Sequence, residues 1–87
     1  MLEEFKDQKV VIDLKSAYVC LGTLVSMDDQ FLELRNADVH DLRDTHTSRE
    51  NYVAESRLTG IKRNRKRVLV RRDDMVAISR LEDVVDE

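Results

Sequence analysis

The chain has 87 residues, 41% hydrophobic and 38% charged, with 15 Lys and Arg against 18 Asp and Glu, which fits one small domain with a marginal core. A single Cys and only two Gly exclude an internal disulfide and a Gly-rich phosphate loop, and no apolar run approaches the roughly 18 residues that a membrane helix needs. No signal-peptide core follows the acidic start Glu3-Glu4, so a soluble protein of the reducing cytoplasm is expected.

Residues 2–8 open the chain with helix formers, acids in the first turn, and Leu2 and Phe5 three apart on one face, which predicts a short helix capping one end of the domain. Val10, Ile12 and Leu14 then recur with period two, as do Val19 with Leu21 and Leu32 with Leu34. Alternation of this kind belongs to half-buried strands, here near residues 9–15, 17–27 and 31–42. Gly22 interrupts the second run at its centre, where a glycine marks a bulge or a sharp bend. A strand bent hard at its middle curls a small sheet into a barrel. Cys20 lies within that strand pattern and is expected to be a buried, inert thiol.

Residues 44–66 are polar at first, pass through Tyr52-Val53-Ala54, and end in a charged run. They are expected to form a long loop outside the core, or a hairpin turning at Thr59-Gly60. Two further strands are predicted near residues 66–72 and 75–81, with all five strands antiparallel.

Two segments carry a family resemblance. Gly22-Thr23-Leu24-Val25-Ser26-Met27-Asp28, followed by Leu34-x-Asn36-Ala37, is similar to the first motif of Sm and LSm proteins. Val70-Arg71-x-Asp73-Asp74-Met75-Val76-x-Ile78 resembles the second. Together the likeness spans roughly residues 2–42 and 67–81. It implies an all-β fold: an N-terminal helix and a five-stranded, strongly bent antiparallel barrel of the SH3 type, with the long loop between the third and fourth strands. It also implies a closed homo-oligomeric ring in which Val68 and Val70 of one subunit pair with Val76 and Ile78 of the next. Closure of a ring would cover the open edges of the outer strands.

The resemblance further implies a pocket for an RNA base, usually uridine, near a central pore. Asp28 and Arg71 match its pattern. Its asparagine is missing: aligning Asp28 leaves Leu32 at that place, and aligning the strand leaves Phe31. Gln30 is placed to supply an amide, and Phe31 is read either as a stacking platform for a base or as a core residue at the barrel mouth. Arg72 replaces the family's glycine, which requires either an ordinary backbone there or a strained one. Asp28, Asp29, Asp73 and Asp74 face only Arg71 and Arg72 on the two loops, an acidic rim that opposes phosphate.

Charge is also divided along the chain. Lys62, Arg63, Arg65, Lys66, Arg67, Arg71 and Arg72 lie within residues 62–72 without an acid, whereas residues 73–87 hold six acids and only Arg80. Such a cluster can neutralise phosphates, or it can be a solvated run paired with carboxylates. His40 and His46, with Asp41 and Asp44, have the residue types of metal ligands but fit no standard spacing, and no nucleophile sits beside a base in a catalytic motif. Neither an enzyme, a metal nor a cofactor is expected. Two functions follow: a ring that binds single-stranded RNA through its pore loops, its basic loop or both, or a ring without base recognition that serves as an assembly scaffold.

Overall fold

The computed structural model describes residues 1–44 and 46–85. Thr45, within the expected loop, and Asp86 and Glu87, within the acidic end, lie outside the described residues. Five strands form one antiparallel sheet: β1 (Lys9–Leu14), β2 (Tyr18–Met27), β3 (Phe31–Asp41), β4 (Arg65–Arg71) and β5 (Met75–Arg80). Their order is β4-β3-β2-β1-β5, so β4 and β5 are the two outer strands.

The period-two residues do what alternation requires. Val10, Ile12, Cys20, Leu24, Leu32, Leu34 and Val70 point to one side and form the inner core. Val11, Val19 and Leu21 point to the other side and enter a second cluster. The inward face is kept along β3 only because a bulge switches the parity of its inward positions. Leu32 and Leu34 face the inner core, and so does Ala37, three positions after Leu34. Asn36, with φ of 52°, is the extra residue that moves the inward set from even to odd positions.

Gly22 makes that bulge possible. The β2–β3 register jumps from Leu21 opposite Asp38 to Thr23 opposite Arg35, which leaves Gly22 facing two residues. A Cβ on Gly22 would lie 3.0 Å from the Ala37 Cβ and 3.2 Å from the Arg35 carbonyl oxygen. The expected bend is therefore a close approach of two backbones, in which any side chain at Gly22 would require Ala37 or Arg35 to shift.

The N-terminal segment is a four-residue 3-10 turn, Leu2–Phe5, in place of a helix over residues 2–8. Asp7 adopts φ of 64° and donates its N–H to the Leu24 carbonyl at 2.6 Å, so the chain has already turned onto β2. Leu2 and Phe5 still pack on the inner core, as a cap should.

Residues 44–66 depart furthest from expectation. They hold a helix, α1 (Arg49–Thr59), and not a loop or a hairpin. Ser48 caps its first turn, its side chain accepting the Asn51 N–H at 3.1 Å. Gly60, with φ of 97°, ends it, its N–H returning to the Ser56 carbonyl. The helix covers the outer face of the sheet: Tyr52 and Val53 join Val11, Val19, Leu21 and Leu81 in the second cluster. This segment is thus part of a core.

Candidate functional site

Two turns meet at one end of the β3–β4 pair. The first joins β2 to β3. Asp28 organises it, its Oδ1 accepting the N–H groups of Gln30 at 2.8 Å and Phe31 at 2.7 Å. Those two bonds hold the Asp28 carboxyl below the usual carboxylate range. Asp28 therefore shapes the turn, and its charge is committed to backbone amides.

The second turn joins β4 to β5 and carries Arg71 to Asp74. Arg72 bridges the turns: its Nη1 donates to the Asp28 carbonyl oxygen at 2.6 Å, and its N–H donates to the Gln30 carbonyl at 2.8 Å. It is not among the positive-φ residues, so this arginine sits on ordinary backbone without strain. Arg71 lies directly opposite Phe31 in the β3–β4 register. Its Nη2 stands 3.2 Å from Asp73 Oδ2, with both side chains largely exposed. An exposed pair of this kind contributes about 0–1 kcal/mol and yields readily to a competing ligand.

Phe31 is half-buried and belongs to neither core cluster. Met27, Asp28, Glu33, Arg67 and Leu69 surround it in a shallow pocket of about 210 Å3. The reading of Phe31 as a core residue does not hold, and its ring lies beside Arg71's strand. The Gln30 side chain is exposed and makes no hydrogen bond among the described residues. Asp28, Gln30, Phe31, Arg71 and Arg72 are thus brought to one end of the molecule, with Asp28 and Arg72 as the frame.

The basic run divides by the partners its cations find. Arg67 Nε donates to Glu33 Oε2 at 2.6 Å, while Ser26 donates to Glu33 Oε1 at 2.7 Å. Chiefly through Arg67, and then through Ser26, these bonds pull the Glu33 carboxyl down to about 2. Arg63 and Arg65 instead use neutral acceptors, the Asn36 side chain and the Asn64 carbonyl. Lys62 and Lys66 are exposed and form no ion pair among the described residues. Arg35, outside the run, is brought opposite Arg67 by the sheet register. Sequence reading missed Arg35 and Glu33, and the alternation of β3 with a basic β4 was the signal that could have paired them.

The other chemistry-bearing residues are structural. Cys20 is buried, and burial, with Asp38 and Asp74 adding to it, pushes its thiol up to about 11. His40 stacks on Tyr52 with ring centroids 3.9 Å apart, and the Tyr52 hydroxyl donates to the buried Asp38 carboxylate. Burial first, and Asp38 second, raise the Tyr52 hydroxyl far above its ordinary value. Among the described residues, no three His, Cys, Asp or Glu side chains are grouped to hold a metal ion, and no helix is long and apolar enough to cross a membrane.

No family model matches the chain, and no curated protein sequence matches it. A search of solved structures finds an Sm protein of Pyrococcus abyssi in complex with a uridine heptamer. The two share 18% identity and superpose with a TM-score of 0.61, over 91% of this chain and 90% of that one. The chain has the Sm fold. Within the Sm fold, the two sequence motifs correspond to β2–β3 and to β4–β5 with the turn between them, and that turn meets the β2–β3 turn at Arg72.

Proposed function

We propose that this chain assembles into an Sm-like homo-oligomeric ring that binds single-stranded RNA, taking a base at the two turns. The observation that carries the RNA reading is the placement of Phe31 opposite Arg71, an aromatic face outside the core beside a cation held only by an exposed pair. Phe31 would stack on the base, Gln30 would offer its amide to the base edge, and Arg71 would exchange Asp73 for a phosphate or a base oxygen. Base stacking on an aromatic side chain is worth about 1–3 kcal/mol. The Pyrococcus abyssi protein of the same fold, solved with a uridine heptamer, supports this reading.

Two open strand edges support the ring. Among the described residues β4 and β5 each have one unpaired side, and an unpaired edge recruits another chain. Pairing β4 of one copy with β5 of the next is a head-to-tail contact, which closes into a ring when the rotation permits. Beside β4 runs a groove of about 600 Å3 bordered by Leu14, Cys20, Val39, Val68 and Val70. Leu69 on β4 and Val76 on β5 are exposed apolar residues that such a seam would cover. Val68, Val70 and Ile78 point inward to the core, so they would contribute backbone pairing more than side-chain contact. Val76 is accordingly the position at which a carboxylate would test assembly without damage to the core.

A scaffold without base recognition is the second reading, and the crowding of Asp28, Asp29, Asp73 and Asp74 on the two turns favours it. Arg71→Ala decides between them. If the base site operates, the variant assembles as the parent does and loses discrimination between oligo-U and oligo-A. Unchanged affinity for both, with assembly intact, would leave the scaffold.

A further inference from the structure

We infer that a second nucleic-acid site lies at the far end of β4, a groove that grips the phosphodiester backbone without reading bases. It rests on the RNA reading above but uses different residues. Arg35, Asn36, Arg63, Asn64, Arg65 and Lys66 line an open groove of about 590 Å3. Four of those six carry positive charge, and no carboxylate is among them. Six strand steps separate Arg65 from Arg71, which at about 3.3 Å per residue places the groove roughly 20 Å from the base site.

What distinguishes this groove from an ordinary basic surface is how its cations are held. Arg63 Nη1 donates to Asn36 Oδ1 at 3.2 Å, and Arg65 Nη1 donates to the Asn64 carbonyl oxygen at 3.0 Å. Both acceptors are uncharged, so the guanidinium groups are oriented while their charge stays uncompensated among the described residues. Arg35 lies 3.4 Å from Glu33, a carboxylate that already accepts Arg67 at 2.6 Å and Ser26 at 2.7 Å. Arg67 is therefore neutralised by Glu33 and lies outside the groove, whereas Arg35 shares that carboxylate only at the longer distance and lines the groove. Lys62 lies outside the lining.

The backbone beneath is fixed. Asn64 acts as an extra rung of the sheet: its N–H donates to the Ala37 carbonyl at 2.9 Å, its Oδ1 accepts the Val39 N–H at 3.0 Å, and its Nδ2 donates to the Val39 carbonyl at 3.1 Å. On the facing strand, Asn36 sits at the bulge with φ of 52°. Orientation in advance lowers the ordering cost of binding. Phosphate oxygens suit guanidinium forks, which bind them in pairs. Contacts of this kind fix position and carry no base information.

The test compares the parent with Arg35→Gln, Arg63→Gln and Arg65→Gln combined, against a charge-matched control with Lys6, Lys9 and Arg57 changed to Gln. Affinities for oligo-U and oligo-A are measured across salt concentrations, after circular dichroism has established that each variant folds. Three lost phosphate contacts should reduce the slope of log K against log salt by about 2 for a single strand. The loss in affinity should be equal for both oligonucleotides, and the control should keep the parent slope. A groove variant that keeps the parent slope overturns the groove while leaving the base site intact. A parent that binds without discrimination, and whose binding is abolished in the groove variant, keeps the groove and removes the base site. A parent that binds neither oligonucleotide at low salt overturns both. If the triple variant fails to fold, Arg35→Gln alone should reduce the slope by about 0.7, and an unchanged slope counts against the groove.

Discussion

Arg72 of the second turn donates from Nη1 to the Asp28 carbonyl oxygen of the first at 2.6 Å, across 44 positions of sequence. The bond ties the two motifs together at the end of the sheet where Phe31 and Arg71 stand opposite each other. Because Arg72 also anchors the Gln30 carbonyl through its own N–H, one residue holds the first turn at two points. Arg72→Ala should therefore loosen the turn without unfolding the barrel, at a cost of about 1 kcal/mol. Hydrogen exchange at the Gln30 and Phe31 amides should accelerate, while exchange at Ile12 and Leu21 stays as in the parent. Unchanged exchange at the turn would contradict a bridging role.

Glu33 gives a pH signature. Its carboxyl is lowered from an ordinary 4.5 to about 2, first by Arg67 and then by Ser26. A depressed carboxylate stabilises the folded state fully above its unfolded value, and that contribution is lost as pH falls through the folded one. The Glu33 contribution is thus complete above pH 4.5 and disappears between there and about 2. The Glu33 carboxyl carbon, followed by NMR, should titrate near 2 in the parent and move back toward 4.5 in Arg67→Gln. A parent midpoint near 4.5 would show that Arg67 is free and belongs with the cations of the groove.

Helix α1 should behave as a core element and not as a dispensable insertion. Ser48→Ala removes the cap on the Asn51 N–H and should cost about 1 kcal/mol. Tyr52→Phe leaves the buried Asp38 carboxylate without the hydroxyl that now donates to it, at about 1–3 kcal/mol. Both losses should appear in one cooperative denaturation of the whole domain. A separate early transition for the helix, with the barrel unaffected, would refute the second core.

The strands were readable because alternation leaves a period-two trace that needs no partner to interpret. Boundaries expected at residues 9–15, 17–27, 31–42, 66–72 and 75–81 differ from those observed by no more than one residue at either end. Helix α1 was not readable for an equally physical reason. Its inward side is short, with Tyr52, Val53, Ala54 and Ser56 set among charged neighbours, so a helical stripe never emerges. In sequence Thr59-Gly60 fits a hairpin turn, but a glycine just past a helix serves as a C-cap equally well, and Ser48 ahead of Arg49 is the other half of that signal.

The candidate site was legible in part. Motif order marks Asp28 and Arg71, Phe31 stands where the motif's asparagine is missing, and all three lie at the end where the turns meet. Which of the basic residues remain uncompensated was hidden, since it depends on a carboxylate brought to Arg67 by strand pairing. Glu33 lies 34 positions from Arg67 in sequence but only 2.6 Å away in the fold.

Ring assembly and RNA binding are both read by sedimentation of the purified chain at micromolar concentration, alone and with labelled oligo-U or oligo-A. The expected result is one species at a multiple of the 10.2 kDa chain mass, with oligo-U carried at lower concentration than oligo-A. Val76→Asp should collapse that species toward the single chain, because a carboxylate in an apolar seam loses its hydration without gaining a partner. A parent that sediments at 10.2 kDa, with neither oligonucleotide carried along, would contradict both the ring and its RNA site.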